Sequence, residues 1–172
     1  MRKTLYLDIK NCLKAITDTN GVPVFKHFDL WNQQVEFIEQ ETPFAVPAIF
    51  IEFKPIEWQQ LGFNKQHADA LIRVHVVTPW FAQTADYSPL ESEMLDYLDL
   101  PDLVVKALDN FAPAAGNKFM RINSITNHNH ERYVDSVEEY KCRVSDISAV
   151  TEFTTPVNAQ AIINYGQEPD QE

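Results

Sequence analysis

His67-Ala68-Asp69-Ala70-Leu71-Ile72-Arg73-Val74-His75-Val76-Val77-Thr78 is the stretch on which the fold turns. On an extended chain Ala70, Ile72, Val74 and Val76 fall on one side, and Leu71, Arg73, His75 and Val77 on the other. A period of two with one wholly apolar side predicts a strand that has a dry face and a mixed face. Pro79 stops it, because proline has no N–H to give to a ladder. Upstream, prolines at 43, 47 and 55 bracket Ala48-Ile49-Phe50-Ile51-Glu52-Phe53, which has strand composition. Downstream, Lys118 to Asn127 alternates Met120 and Ile122 with Phe119 and Arg121, and Val137 to Val144 sets Tyr140, Cys142 and Val144 against Lys141 and Arg143. Asn127 to Asp135 then reads as the long tip of a hairpin joining these two strands.

Helical spacing occurs twice. Residues 3 to 17 carry Leu5, Ile9, Cys12, Leu13 and Ile16 on one face, and Asn20-Gly21 ends the run. A second helix opens around Pro101, whose missing N–H has no intrahelical acceptor to miss, with Asp99 and Asp102 at its positive end. Val104, Leu108 and Phe111 form its apolar stripe, and Pro113 and Gly116 close it. A polar excursion from Trp80 to Leu98 holds a short helix near Leu90 to Tyr97. Residues 22 to 44 read as an irregular N-terminal arm with one short strand. From Ile147 onward the period disappears and there is no Lys or Arg, which marks residues 149–172 as an extended C-terminal tail with a disordered end at 166–172.

The order helix, arm, strand, strand, loop, helix, strand, strand, tail predicts an α+β fold. It is an antiparallel sheet of about four strands, covered on one face by two main helices, in a single domain over residues 1–148. A doubly wound sheet is disfavoured because strands and helices do not alternate.

Composition narrows the function classes. The chain has 172 residues, 45% of them hydrophobic, enough for one core without covalent staples. Its two cysteines, Cys12 and Cys142, cannot form a disulfide framework and read as small buried hydrophobes. A formal charge of −11 argues against a broad basic nucleic-acid face. No apolar run approaches a membrane span or a signal segment, so a soluble cytoplasmic protein is expected. Charge is unevenly placed: residues 86–109 carry −6, the last 26 residues −4 and the first 26 residues +3.

Chemistry-bearing clusters are few. Asn127-His128-Asn129-His130-Glu131 offers two histidines and a carboxylate, suitable ligands for zinc or another divalent metal. The H-E-x-x-H helical spacing is absent, however, and Asn-rich polar residues between strands are also what a solvated hairpin tip looks like. His27, His67 and His75 add candidates without a ligand spacing. Asp86, Glu91, Glu93, Asp96, Asp99, Asp102 and Asp109 face a single Lys106, a run that reads as a solvated face because no calcium-loop spacing accompanies it. Four glycines and no G-x-G-x-x-G, P-loop or G-x-S-x-G leave no phosphate cradle or nucleophile elbow. No catalytic, cofactor or metal residue is therefore assigned, and no cofactor is implied. Trp31, Trp58, Trp80 and Phe81 lie in or beside the irregular stretches, where they either cap the sheet edge or anchor an interface.

An N-terminal amphipathic helix, the Pro-bracketed strand Val46 to Phe53, the long strand Ala68 to Val77, a helix ending Val104-Val105-Lys106-Ala107-Leu108, and a closing hairpin through Tyr140-Lys141-Cys142-Arg143-Val144 resemble the tail-completion or tail-terminator proteins of long-tailed bacteriophages and prophages. The resemblance covers residues 3 to about 146. It implies a non-enzymatic subunit that forms a homo-oligomeric ring, often of six copies, at the head-proximal end of the tail or in the neck. It further implies tail-tube or head-tail connector partners, assembly in the host cytoplasm and a final place in the virion. The segment from Val22 to Phe44 and the tail after Ser148 exceed what the pattern requires. On such a ring, the acidic stretch from Asp86 to Asp109 would face a DNA channel or a basic patch of the next subunit. Two other readings stay open: an adaptor binding a partner peptide on a sheet edge, and a metal-dependent hydrolase using His128, His130 and Glu131 or Asp135.

Overall fold

A computed structural model describes residues 1–35, 43–80, 88, 91, 95–127 and 132–150. Helix α1 (Arg2–Lys14) precedes β1 (His27–Leu30), β2 (Ala48–Phe53), β3 (Gln59–Gly62) and β4 (Lys65–Pro79). A 3-10 turn (Asp96–Leu98) leads into α2 (Asp99–Leu108), and β5 (Met120–Asn127) and β6 (Tyr133–Asp146) follow. The strands form one six-stranded sheet in the order β1-β2-β4-β6-β5, with β3 pairing the N-terminal part of β4.

The expected α+β layering is present, with two helices on a sheet, but the sheet differs from the expectation in two respects. It has six strands where about four were expected, and β1 runs parallel to β2 in an otherwise antiparallel sheet. Both differences have local causes. β1 is the one short strand expected within residues 22–44, here joined to the sheet, and β3 is four residues, too short for alternation to announce it. The chain between β1 and β2 is long enough to return and lay His27 beside Ala48 and Leu30 beside Ile51.

Alternation along β4 sorts the two faces as the sequence predicts. Ile49 and Ile51 of β2, Ala70, Ile72, Val74 and Val76 of β4, and Tyr140, Cys142 and Val144 of β6 form one buried cluster with Leu5, Ile9, Leu13, Val104 and Leu108 of the helices. Registers Ile72↔Tyr140 and Ala70↔Cys142 keep these side chains in rows across the sheet. Each fully buried Leu, Ile or Val in that cluster contributes about 1.5–3 kcal/mol. Helix α1 stops at Lys14, earlier than its apolar spacing suggested, and Ile16 continues the packing from outside the helix. In α2 the first-turn Asp99 and Asp102 and the last-turn Lys106 complement the helix dipole. The helices are tied to each other where the Cys12 thiol donates to the Ala107 carbonyl at 3.3 Å. The Asp8 carboxylate also accepts from the Ala114 N–H at 2.8 Å.

The opposite face carries a smaller apolar cluster. Val35, Ala48, Phe50 and Val77 are buried there, with Trp31, Phe44, Val46 and Tyr133 packed around them. Residues before position 36 and after position 42 are therefore part of the fold, and the segment expected as an irregular arm with one short strand supplies that strand and one wall of this second cluster. The short helix expected near Leu90 to Tyr97 falls largely outside the described residues. Within them, Glu91 and Leu95 are helical and Asp96–Leu98 is a 3-10 turn. The tail expected from residue 149 lies outside the described residues beyond 150.

Candidate functional site

Beside the second cluster, the open face of the sheet gathers charged groups from three strands. Register brings them together: Phe50↔His75 and Glu52↔Arg73 pair β2 with β4, and Arg73↔Glu139 and His75↔Val137 pair β4 with β6. His75 donates from Nδ1 to the Asp135 carboxylate at 3.0 Å and 3.2 Å. His75 and Asp135 are 4% and 2% exposed, so each answers the other's cost of burial. On the far side of the imidazole, Nε2 stands 3.5 Å from Oε2 of Glu52, beyond ordinary hydrogen-bond length.

Glu52 is held by cations instead. Lys54 lies 3.3 Å from one of its oxygens and Arg73 Nη1 3.5 Å from the other. Arg73 Nε donates to Glu139 at 2.6 Å, and Asn123 of β5 donates to the other oxygen of that carboxylate. The hydrogen bond from Arg73 holds the Glu139 carboxyl below its usual range, and the same bond raises the guanidinium. The chain Asp135, His75, Glu52, Arg73, Glu139 thus alternates carboxylates with cation-capable groups across the sheet.

A shallow cleft of about 500 Å³ opens over this row, walled by Trp31, Ile125 and Val137 and floored by Glu52, His75 and Asp135. Trp31 stacks flat on His75, closing one side of the imidazole to water. Chemically the arrangement can bind and orient. Its carboxylates are paired with His75, Arg73 and Lys54.

The structure places the candidates from the sequence as follows. His128, His130 and Glu131 lie outside the described residues, while Asp135, the other carboxylate offered for that site, is bound to His75. Among the described residues no three His, Cys, Asp or Glu side chains are arranged to hold a metal. His27 packs between Phe44 and Phe50, and His67 lies on β4 far from His75. Of the acidic run, Asp86 and Glu93 are outside the described residues, Glu91 is half-buried, and Asp96 on the 3-10 turn, Asp99 and Asp102 on α2 and Asp109 just after it are exposed to solvent. Trp31 is engaged within the fold, Trp58 packs partly on the main core, and Trp80 is 44% exposed. Phe81 is outside the described residues.

Sequence reasoning placed Arg73 and His75 on the mixed face but missed their partners Glu52, Asp135, Glu139 and Trp31. The available signal was opposite charge at alternate positions, Arg73 and His75 on one strand against Asp135 and Glu139 on another.

Several exposed apolar side chains lie on strand β5 and on the β3–β4 hairpin, with Ile125 of β5 shared with the cleft wall. Strand β5 ends the sheet order opposite β1, pairs only β6 among the described strands, and exposes Met120, Ile122 and Ile125. The β3–β4 hairpin ends in exposed Leu61 and Phe63. No helix among the described residues is long and apolar enough to cross a membrane.

No family profile matches this sequence, and no curated protein matches it. Among solved structures, 28 chains match. One, described as the virion of a native gene transfer agent particle, superposes with a TM-score of 0.48 at 11% identity, over 84% of this chain and 97% of that chain.

Proposed function

We propose that this chain is a structural subunit of a phage-like tail, a tail-completion or tail-terminator protein that acts by self-assembly into a ring and by contact with tail or connector proteins. The observation that carries the reading is the separation of its surface chemistry. The open-face charges are paired with one another, whereas large apolar side chains stand exposed away from them at Leu61, Phe63, Met120 and Ile122. Reaction centres keep polar groups available, and contact surfaces keep apolar anchors available. Support also comes from the element order of the sequence resemblance, since helix, bracketed strand, long strand, helix and hairpin recur in that order.

Two measurements test it. Sedimentation of the full chain is expected to show a discrete oligomer. Electron micrographs of tails assembled without the protein are expected to show overlong or unjoined tails, and normal, joined tails would sink the reading.

One observation favours the adaptor reading: all but the last residue of β5 is exposed along a sheet edge with no proline to block pairing. If that edge takes a peptide strand, amide exchange along Met120–Asn127 slows on adding the partner while the sedimentation of the chain alone stays monomeric.

A further inference from the structure

We propose that the tip of the β3–β4 hairpin is a knob that docks in the open-face cleft of a second copy of the chain, head to tail. This inference rests on the assembly reading above and names the contact that carries it.

The knob is built at a cost. Gly62 pairs with Lys65, leaving Phe63 and Asn64 as a two-residue turn, both with positive φ, at 49° and 59°. Such turns strongly prefer Asn, Asp or Gly at both positions. A phenylalanine there costs about 1 kcal/mol or more of backbone strain, yet Phe63 is 87% exposed and returns nothing to its own core. Leu61 is the extra residue where the ladder slips between Gln60 and Gly62, and it is 62% exposed. Bulges re-aim side chains, so two backbone irregularities both turn an apolar group outward at one tip.

The cleft suits it in size and charge. About 500 Å³ lies within the range of sites that bury an anchor, and Trp31, Ile125 and Val137 give it apolar walls. Residues 59–66 carry Lys65 and no acidic residue. The cleft carries two carboxylates, Glu52 and Asp135, against the one guanidinium of Arg73. The tip cannot reach its own cleft: from Lys65 to His75 is ten residues along β4, about 33 Å at strand rise, and the turn points away beyond Lys65. Knob and hole at opposite ends of one strand make a heterologous contact, the kind that builds rings or filaments.

The test is disulfide trapping in the full chain with Phe63→Cys and Ile125→Cys. Both positions are exposed, while the native thiols are buried at Cys142 and half-buried at Cys12. On mild oxidation the double variant is expected to give a ladder of covalent multimers, and a mixture of the two single variants a covalent heterodimer. In parallel, Phe63→Asp is expected to weaken self-association about tenfold or more, and mixing it with Ile125→Arg to restore a dimer through the one intact contact. If the wild-type chain sediments as an oligomer but no ladder forms and Phe63→Asp associates normally, the knob is wrong and the assembly reading stands. A wild-type chain that stays monomeric, together with no ladder from the double variant, overturns both.

Discussion

The indole of Trp31 lies on the imidazole of His75 with ring centroids 3.8 Å apart and planes 6° from parallel. Trp31 follows the short parallel strand β1, and His75 is in the middle of the sheet, so the stack exists only because β1 returns to pair with β2. It shields a buried His75–Asp135 pair whose members would otherwise be costly to keep from water.

Replacing Asp135 by Asn removes the charge facing His75 and is expected to cost about 2–4 kcal/mol, read as a lower urea midpoint with unchanged slope. The double variant His75→Leu with Asp135→Leu should recover most of that loss, because an apolar pair leaves no buried polar group unmatched. A double variant as unstable as Asp135→Asn alone would show that the pair is worth more than its burial costs.

Glu139 should contribute to acid sensitivity. Its carboxyl, held below the usual range by the hydrogen bond from Arg73, binds protons less readily folded than unfolded. Its contribution to stability is therefore fully present above the ordinary carboxylate range, and is lost as pH falls through the folded-state value. Wild type should exceed Glu139→Gln in unfolding midpoint at neutral pH, with the gap narrowing below about pH 4. A gap that is constant with pH would remove Glu139 from the acid response.

Gly116 passes against β6 so closely that an added Cβ would meet Sγ of Cys142 at 2.7 Å and the Arg143 carbonyl oxygen at 2.8 Å. Gly116→Ala should therefore lower stability by about 1–3 kcal/mol in thermal melts. Burial pushes the Cys142 thiol up to about 11, so iodoacetamide at mildly alkaline pH should leave it unmodified in the folded chain and label it only after denaturation.

Phe63→Asn tests whether the tip residue serves the chain that carries it. Asn tolerates the left-handed conformation, so stability of the isolated chain should stay level or rise by up to about 1 kcal/mol. A loss of more than that would give Phe63 a role inside its own fold.

Local pattern was enough to read the core face. The apolar side of β4, the facing residues of β6 and the stripes of α1 and α2 recur at fixed spacing because each element buries one face. The exposed acids of α2 were legible for the converse reason: charges avoid burial when water is available. One short strand within residues 22–44 was legible and is β1, but its parallel pairing with β2 and the four-residue β3 were not, since so few residues hold barely two periods of alternation.

By itself, then, the sequence determined which side of each long element is dry, and hence the α+β layering, because periodicity is a local consequence of burial. Only the tertiary structure decided which charges meet. Register placed Arg73 against Glu52 and Glu139 and His75 against Asp135, and the return of β1 laid Trp31 on His75. It also decided that Phe63 and the cleft lie too far apart to meet within one chain. These are non-local pairings, set by how strands align across long separations, and no spacing along the chain encodes them.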